Sequence, residues 1–592
     1  QIARISWPLT FNKCTFRNNH AKQSGGAVAY GDSLTLSSIT LTFNECEFIG
    51  NECEGKHIKT GNEGGGALWF NSLEPVNVSN CVFRGNHALR PSTRATGPGG
   101  YGHAIYAASR SLVTVEKCKF IDNIDDNGIE SVIHMSGQQF NLTDSEISFT
   151  KSGEACRGIY IDFPGTINIR NTIFRNCGKN VVKEGGAILY KNANADSVLE
   201  EQITIEGCTF DNCLADNGCA MLFWASVSPT LIGNEILNQR SGKYVICIFY
   251  TTFQDYSIVE NMNFIGGTSA SEDGGASGIW IANNREISNG RPSELIFRNC
   301  RWEDNYSPNK GGALHYGNSQ TLVGTELTFE DCTFINNRAT NAGGAVSIAT
   351  ISPSVFRNCE FNGNVVEKSN SVTKGSAIYV DSETPLCLIS GCTFTNSSAD
   401  EGNAIFASSK VLALHVTDNT KIINCGSSGS CIAIESKEFF FLNSQIKFDN
   451  INKAARGIYI KTLSVTRISD SKFVKCLTPS TSTTNPDCQG GAIFIKNIVK
   501  TDSQEEVQLL YSTFDACKAA NGCAIMFWIQ TNPIIKGNTI TNHNYNKYIF
   551  TIIRTTNFAD LFTIENCTFV KNKYSNKNKE DGGGAAIWIA NQ

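Results

Sequence analysis

Short alternations of apolar and polar residues recur along the whole chain. In C-x-F, a cysteine and an aromatic ring fall on one side of an extended segment; in G-A-[ILV]-x-[apolar], two aliphatic residues do the same. The first pattern, completed by an asparagine three residues after the ring, stands at Cys14/Phe16/Asn19, Cys46/Phe48/Asn51, Cys81/Phe83/Asn86, Cys118/Phe120/Asn123, Cys300/Trp302/Asn305, Cys332/Phe334/Asn337, Cys359/Phe361/Asn364 and Cys567/Phe569/Asn572. The second stands between copies of the first, as GGAV at 25 and 343, GGAL at 65 and 311, GGAI at 185 and 490, and GSAI at 375. No segment carries a sustained helical period with capping signals, so the chain reads as short strands broken by turns.

The repeat returns every 25 to 40 residues or so, the range of solenoids and propellers. Strands this short cannot each close a core; they need stacked neighbours. The pattern predicts an all-β fold, a right-handed, single-stranded parallel β-helix of roughly twenty coils, a rod about 100 Å long at ~4.8 Å per coil. The C-x-F rings would stack as an interior ladder. The asparagine would sit at a turn, in left-handed backbone, bonding along the stack. The glycine pair would make the next corner. A propeller would need hairpin turn signals in register, and those are sparse.

A longer duplication overlies the short one. NGCAMLFW at 217 returns as NGCAIMFW at 521, RGIYI at 157 returns at 456, and EDGGASGIWIAN at 272 returns as EDGGGAAIWIAN at 580. We therefore expect residues 1–284 to form one array and 285–592 a duplicate, continuous with the first as one rod.

Composition narrows the function classes. A net charge of -5 and a pI near 6.0 give no basic footprint for nucleic acid. The chain has 52 glycines and only 13 prolines and 4 methionines, a turn-rich, strand-favouring balance, and no run of eighteen apolar residues suits a membrane-spanning helix. It opens at Gln1 without a methionine, and we expect a processed or partial chain whose anchor lies beyond it.

The alternation of F-x-x-N with G-G-A-[ILV], from Cys14 to Ala590, resembles the polymorphic outer-membrane protein (Pmp) repeat of bacterial autotransporter adhesins and related surface proteins of parasitic protists. The resemblance implies a β-helical passenger of pectate-lyase-like architecture, exposed at the cell surface, that adheres to host cells or to like molecules. This chain departs from the bacterial pattern in lacking a C-terminal barrel segment and in carrying far more cysteine.

The 23 cysteines are an odd number. Most occupy the inward position of C-x-F, as small apolar fillers or as disulfides of an extracellular stack. The candidate disulfides are Cys213 with Cys219 and its echo, Cys517 with Cys523, because F-x-x-C leads into G-C-A across one short loop. Zinc binding finds no C-x-x-C, and no metal or other cofactor is expected. Catalysis would need clustered acids and bases. Asp125-Asp126, GDS at 31 and EDGG at 272 and 580 read better as solvated turns, and no nucleophile elbow, P-loop or dinucleotide fingerprint appears. Sequons begin at Asn77, Asn141, Asn305, Asn396 and Asn566, about the number chance supplies in a chain rich in asparagine.

The x of G-A-I-x-I should face away from the core, yet it is mostly large and apolar. The candidate binding residues are Trp69, Tyr106, Tyr160, Trp280, Tyr379, Phe406, Tyr459, Phe494 and Trp588. Stacked coils would line them into an exposed ridge, for sugar rings or a protein partner, unless neighbouring loops cover it. The expectation is a non-enzymatic extracellular rod acting in adhesion, surface-layer assembly or filament assembly. Its partners would be a host-cell or matrix protein or glycan, or further copies of itself. A polysaccharide lyase or hydrolase is the enzymatic alternative, and a purely structural filament subunit a third.

Overall fold

The structure is a computed structural model describing residues 7–31, 39–54, 64–89, 102–124, 130–163, 165–179, 182, 184–191, 202–224, 229–249, 256–270, 279–282, 293–316, 325–367, 372–426, 429–451, 454–461, 465–478, 489–496, 506–529, 533–545, 548–554, 563–574 and 586–591. Among these the named elements are all strands, and neighbouring strands pair parallel and in register, as a β-solenoid requires. The chain divides into two compact units, residues 1–271 with 275–293, and residues 272–274 with 294–592. Among the described residues, the column of C-x-F strands has nine members in the first unit, Thr15–Arg17 to Asn263–Ile265, and ten in the second, Arg301–Glu303 to Thr568–Val570. That is slightly under the coil count the repeat predicts.

One coil shows how sequence makes the turn. Leu41–Asn44 alternates, with Leu41 and Phe43 inward and Thr42 and Asn44 outward. Glu45 then adopts left-handed backbone (φ 51°), which swings the chain around and turns Cys46 inward. Glu47–Ile49 buries Phe48, whose ring stacks on Phe16 at 4.9 Å and on Phe83 at 4.6 Å. The interior ring ladder is as predicted, and each buried ring contributes about 1.5–3 kcal/mol.

The second corner corrects one detail. The left-handed residue is not the asparagine of F-x-x-N but the residue before it: Asn18 (φ 54°), Gly50 (φ 60°), Asp304 (φ 54°) and Asn336 (φ 52°). Its turn throws the following asparagine inward. Asn51, Asn86 and Asn123 are fully buried, and each forms a rung. Asn86 Nδ2 donates to Phe48 O of the preceding coil (2.9 Å) and to Asn123 Oδ1 of the next (2.8 Å). The glycine pair makes the third corner as expected. Gly343 is left-handed (φ 61°), and a Cβ on Gly344 would lie 2.5 Å from Ser376 O and from Val365 O.

The first corner also explains the inward cysteines. Cys46 N–H donates to Cys81 Sγ at 3.4 Å and Cys81 N–H to Cys118 Sγ at 3.4 Å. On other coils the same acceptor is Ser145 Oγ, Asn234 Oδ1, Thr420 Oγ1 or Asn538 Oδ1. The residue here must fill a small space and receive one buried N–H; cysteine does both, the second weakly.

Coil length varies from 24 residues, Ile422 to Ile446, to 41, Phe473 to Phe514. The first corner barely contributes, being two residues in every coil but one, where residues 418–420 make it three. The variation falls on either side of the strand that carries G-A-I-x-I.

Candidate binding face

The residues at x do form columns. In the first unit Ala29, Trp69, Tyr106, His134, Tyr160, Leu189, Leu222, Cys247 and Trp280 pair in register. In the second, His315, Ser347, Tyr379, Phe406, Ala433, Tyr459, Phe494, Met526, Thr551 and Trp588 do so. Sequence reading missed His134, Cys247 and Thr551, whose coils lack the glycine pair that marks the position.

The columns are not an exposed ridge. Trp69 is 6% exposed, Tyr106 1%, Tyr160 8%, Tyr379 8%, Phe406 1% and Phe494 1%. Tyr459 and Trp588 are half-buried, and the Trp280 side chain lies outside the described residues. In-register stacking covers these rings from the neighbouring coils, on both sides within a column and on one side at its end, as at Trp588. Tyr459 lies parallel to Phe494 at 5.2 Å, and Tyr106 meets His134 edge-on at 4.8 Å. Cations cover much of the remainder: Lys374 sits 4.4 Å from the Phe406 ring centre, Lys310 5.1 Å from Tyr379, and Arg456 4.9 Å from Tyr459. Alternation fixes the side of the strand a residue takes, not what lies above it.

The repeated RGIYI supplies two of these covers. Arg157 Nε donates to Glu184 O and Gly185 O on the next coil, at 3.2 and 2.9 Å, while its guanidinium rests 5.7 Å from the Tyr160 ring. Arg456 does the same to Gln489 O and Gly490 O, at 3.1 and 3.2 Å. Each arginine thus ties the glycine corner of the following coil to an aromatic column.

Ionisable groups border the columns. His134 Nε2 lies 3.1 Å from Asp162 Oδ2; burial opposes the Asp162 charge, but the imidazole contact holds its carboxyl below the usual range. Burial pushes the Tyr160 phenol up to about 12. Lys461 bridges Glu401 at 2.7 Å and Glu435 at 3.3 Å. Histidines scattered in sequence also converge: His20 lies 3.3 Å from Glu52 and 3.0 Å from Glu54, and His87 lies 3.5 Å from Glu52.

Cys213, Cys219, Cys517 and Cys523 are free, buried thiols. Asp125-Asp126, residues 32–33 of GDS and both EDGG motifs lie outside the described residues. Asn305 is 1% exposed and bonds Asn337 within the ladder at 2.9 Å, so its sequon has no room for a glycan. Two shallow polar depressions follow the second corner, one including Asp211, Asn212 and Asn238, the other Asn396, Asn424 and Asp449. No helix among the described residues is long and apolar enough to cross a membrane.

Residues 2–196 and 157–361 match the sequence family described as a right-handed β-helix region. No curated protein and no solved structure matches the chain.

Proposed function

Since the chain belongs to the right-handed β-helix region family, we propose that its coils are a rigid, non-enzymatic scaffold displayed at the cell surface. It adheres to a host or matrix glycan or protein, or to its own copies, through the segments flanking the G-A-I-x-I strand. One observation carries this reading: coils of 24 to 41 residues keep their first corner nearly invariant and take up the difference beside that one strand. In solenoids, insertions gathered on one face commonly build the binding face, and recognition favours loops on a rigid frame. The resemblance to polymorphic outer-membrane repeats supports the adhesive role. The aromatic columns then act from beneath, fixing the strand from which the segments depart.

The test is retention of the purified chain on whole cells and on a panel of surface polysaccharides, with soluble product assayed in the same tubes. Replacing residues 90–101 and 479–488 by Gly-Ser sequence of equal length should lower retention at least tenfold with Tm unchanged. Tyr106→Ser should do the reverse, lowering Tm and sparing retention by the folded fraction. Soluble fragments released by the chain would overturn the reading in favour of a polysaccharide lyase or hydrolase, and so would retention indifferent to both segments.

A further inference from the structure

In the middle of each unit the asparagine ladder gives way to sulfur. Leu214 N–H donates to Cys177 O at 2.8 Å, placing Cys177 and Cys213 on consecutive rungs of the first unit. In the second, Lys518 N–H donates to Cys476 O at 2.9 Å, and Leu477 bridges Lys518 in parallel, so Cys476 and Cys517 hold the same relation. In-register neighbours lie ~4.8 Å apart, inside the 4.4–6.8 Å Cα separation a disulfide accepts. Both side chains are buried and point inward.

The next rung distinguishes the copies. In the first unit it is Gln239, an amide that gives its Nε2 hydrogens to Phe210 O and Leu237 O. In the second it is His543, 1% exposed, on the coil that pairs with that of Cys517 through Asp515 and Thr541. Asn572 Oδ1 accepts from His543 N–H at 2.9 Å and lies 3.2 Å from its Nδ1, while Nε2 is buried with no hydrogen-bond partner. A buried ring nitrogen left unpaired beside a thiol can take that thiol's proton.

We propose that Cys476 and Cys517 form an oxidisable dithiol site, with His543 as its base, which a small hydroperoxide converts into a disulfide between adjacent coils. Cys517 passes its proton to His543. The thiolate attacks the terminal peroxide oxygen, the O–O bond breaks, and the hydroxide released from hydrogen peroxide, or the alkoxide from an organic hydroperoxide, takes the proton from His543 and leaves as water or as the alcohol. Cys517 is then a sulfenic acid. The Cys476 sulfur attacks it, the S–S bond forms, the S–O bond breaks, and the second hydroxide leaves as water with the Cys476 proton. Two thiols lose two electrons and one peroxide gains them.

Burial raises both thiols, and only Cys517 has an imidazole, that of His543, on the neighbouring rung to oppose it. The ionisable groups facing the pair are His543, Cys523 and, beside Cys476, Cys431.

Hydrogen peroxide is the probe. The purified chain is treated at pH 7, unreacted thiols are alkylated under denaturing conditions, and linked peptides are mapped by mass spectrometry over time. The Cys476–Cys517 link should form at least tenfold faster than any link among Cys156, Cys177 and Cys213 in the same chain. H543Q should remove the advantage, and Q239H should confer it on Cys177–Cys213, with circular dichroism confirming the folded state of each. The comparison within the unaltered chain stands even where a variant does not fold. Equal rates in the two units, a Cys517–Cys523 link in place of Cys476–Cys517, or thiols that stay alkylatable throughout would each overturn the proposal.

Discussion

Removing one rung of the asparagine ladder should open the solenoid locally, by an amount the hydrogen bonds fix. In Asn86→Ala the lost Oδ1 had accepted from Asn51 N–H at 3.0 Å and Asn51 Nδ2 at 2.9 Å, and the lost Nδ2 had donated to Phe48 O and Asn123 Oδ1. Three of the four partners keep another bond. Asn51 Nδ2 keeps Phe16 O at 3.0 Å, Asn123 Oδ1 keeps Asn86 N–H at 3.0 Å, and Phe48 O keeps the Arg84 N–H of the parallel strand ladder. Asn51 N–H is left buried and without a partner, at about 1–3 kcal/mol. That is roughly a fivefold to 150-fold loss of protection at about 1.4 kcal/mol per decade. Native-state hydrogen exchange reads it directly: amides on the coils of Phe48 and Asn86 should lose that protection, while distant coils, which touch only their own neighbours, should keep theirs. Asn44→Ala, which removes bonds to Asn12, Glu45, Ser79 and Asn80 that water can replace at the solenoid surface, should cost only about 0.5 kcal/mol. Protection falling less than threefold in Asn86→Ala, or falling evenly along the chain, would refute the ladder as the restraint.

Two further outcomes follow from the same accounting. Cys81→Ser should be nearly neutral, because serine already serves the equivalent position at Ser145, whereas Cys81→Val strands the Cys46 N–H and should cost about 1–3 kcal/mol in denaturant unfolding. Tyr160 holds its proton more tightly folded than unfolded. Its contribution is therefore complete below pH 10 and is lost as pH rises through about 12, a loss of roughly 3 kcal/mol when complete. Tyr160→Phe should flatten that decline between pH 9 and 11.5, and an unchanged slope would count against burial as the cause.

Much of the fold was legible because a solenoid repeats its instructions. C-x-F names the inward pair of one strand, and G-G-A names a corner that needs one left-handed residue and one without a side chain; both occupy those places at Phe48 and at Gly343 and Gly344. The misplaced left-handed residue has a simple origin. Asn18 and Asn336 are themselves asparagines next to the ladder asparagine, so the sequence shows two candidates and only the backbone separates them. The columns were found where glycines flagged them and missed at His134, Cys247 and Thr551. Their burial was invisible for a stronger reason. Lys374 over Phe406 and Arg157 on the corner of the following coil are contacts between coils, and their partners lie dozens of residues away in the chain. The neighbouring places of Cys476 and Cys517 are hidden in the same way, since the two lie far apart along the chain and only the register of the coils sets them on consecutive rungs.

The nearly constant first corner and the variable lengths beside the G-A-I-x-I strand bear on how either unit behaves under tension. Force applied along the stacking direction bears on one coil's hydrogen bonds at a time, so an array peels instead of shearing. Each coil that yields releases its own length of chain, about 80 Å for the 24 residues from Ile422 to Ile446 and about 140 Å for the 41 from Phe473 to Phe514. A tether built this way lengthens in unequal steps under load, and the sizes of those steps are written in the spacing of the inward residues of one column, phenylalanine on some coils and isoleucine on others.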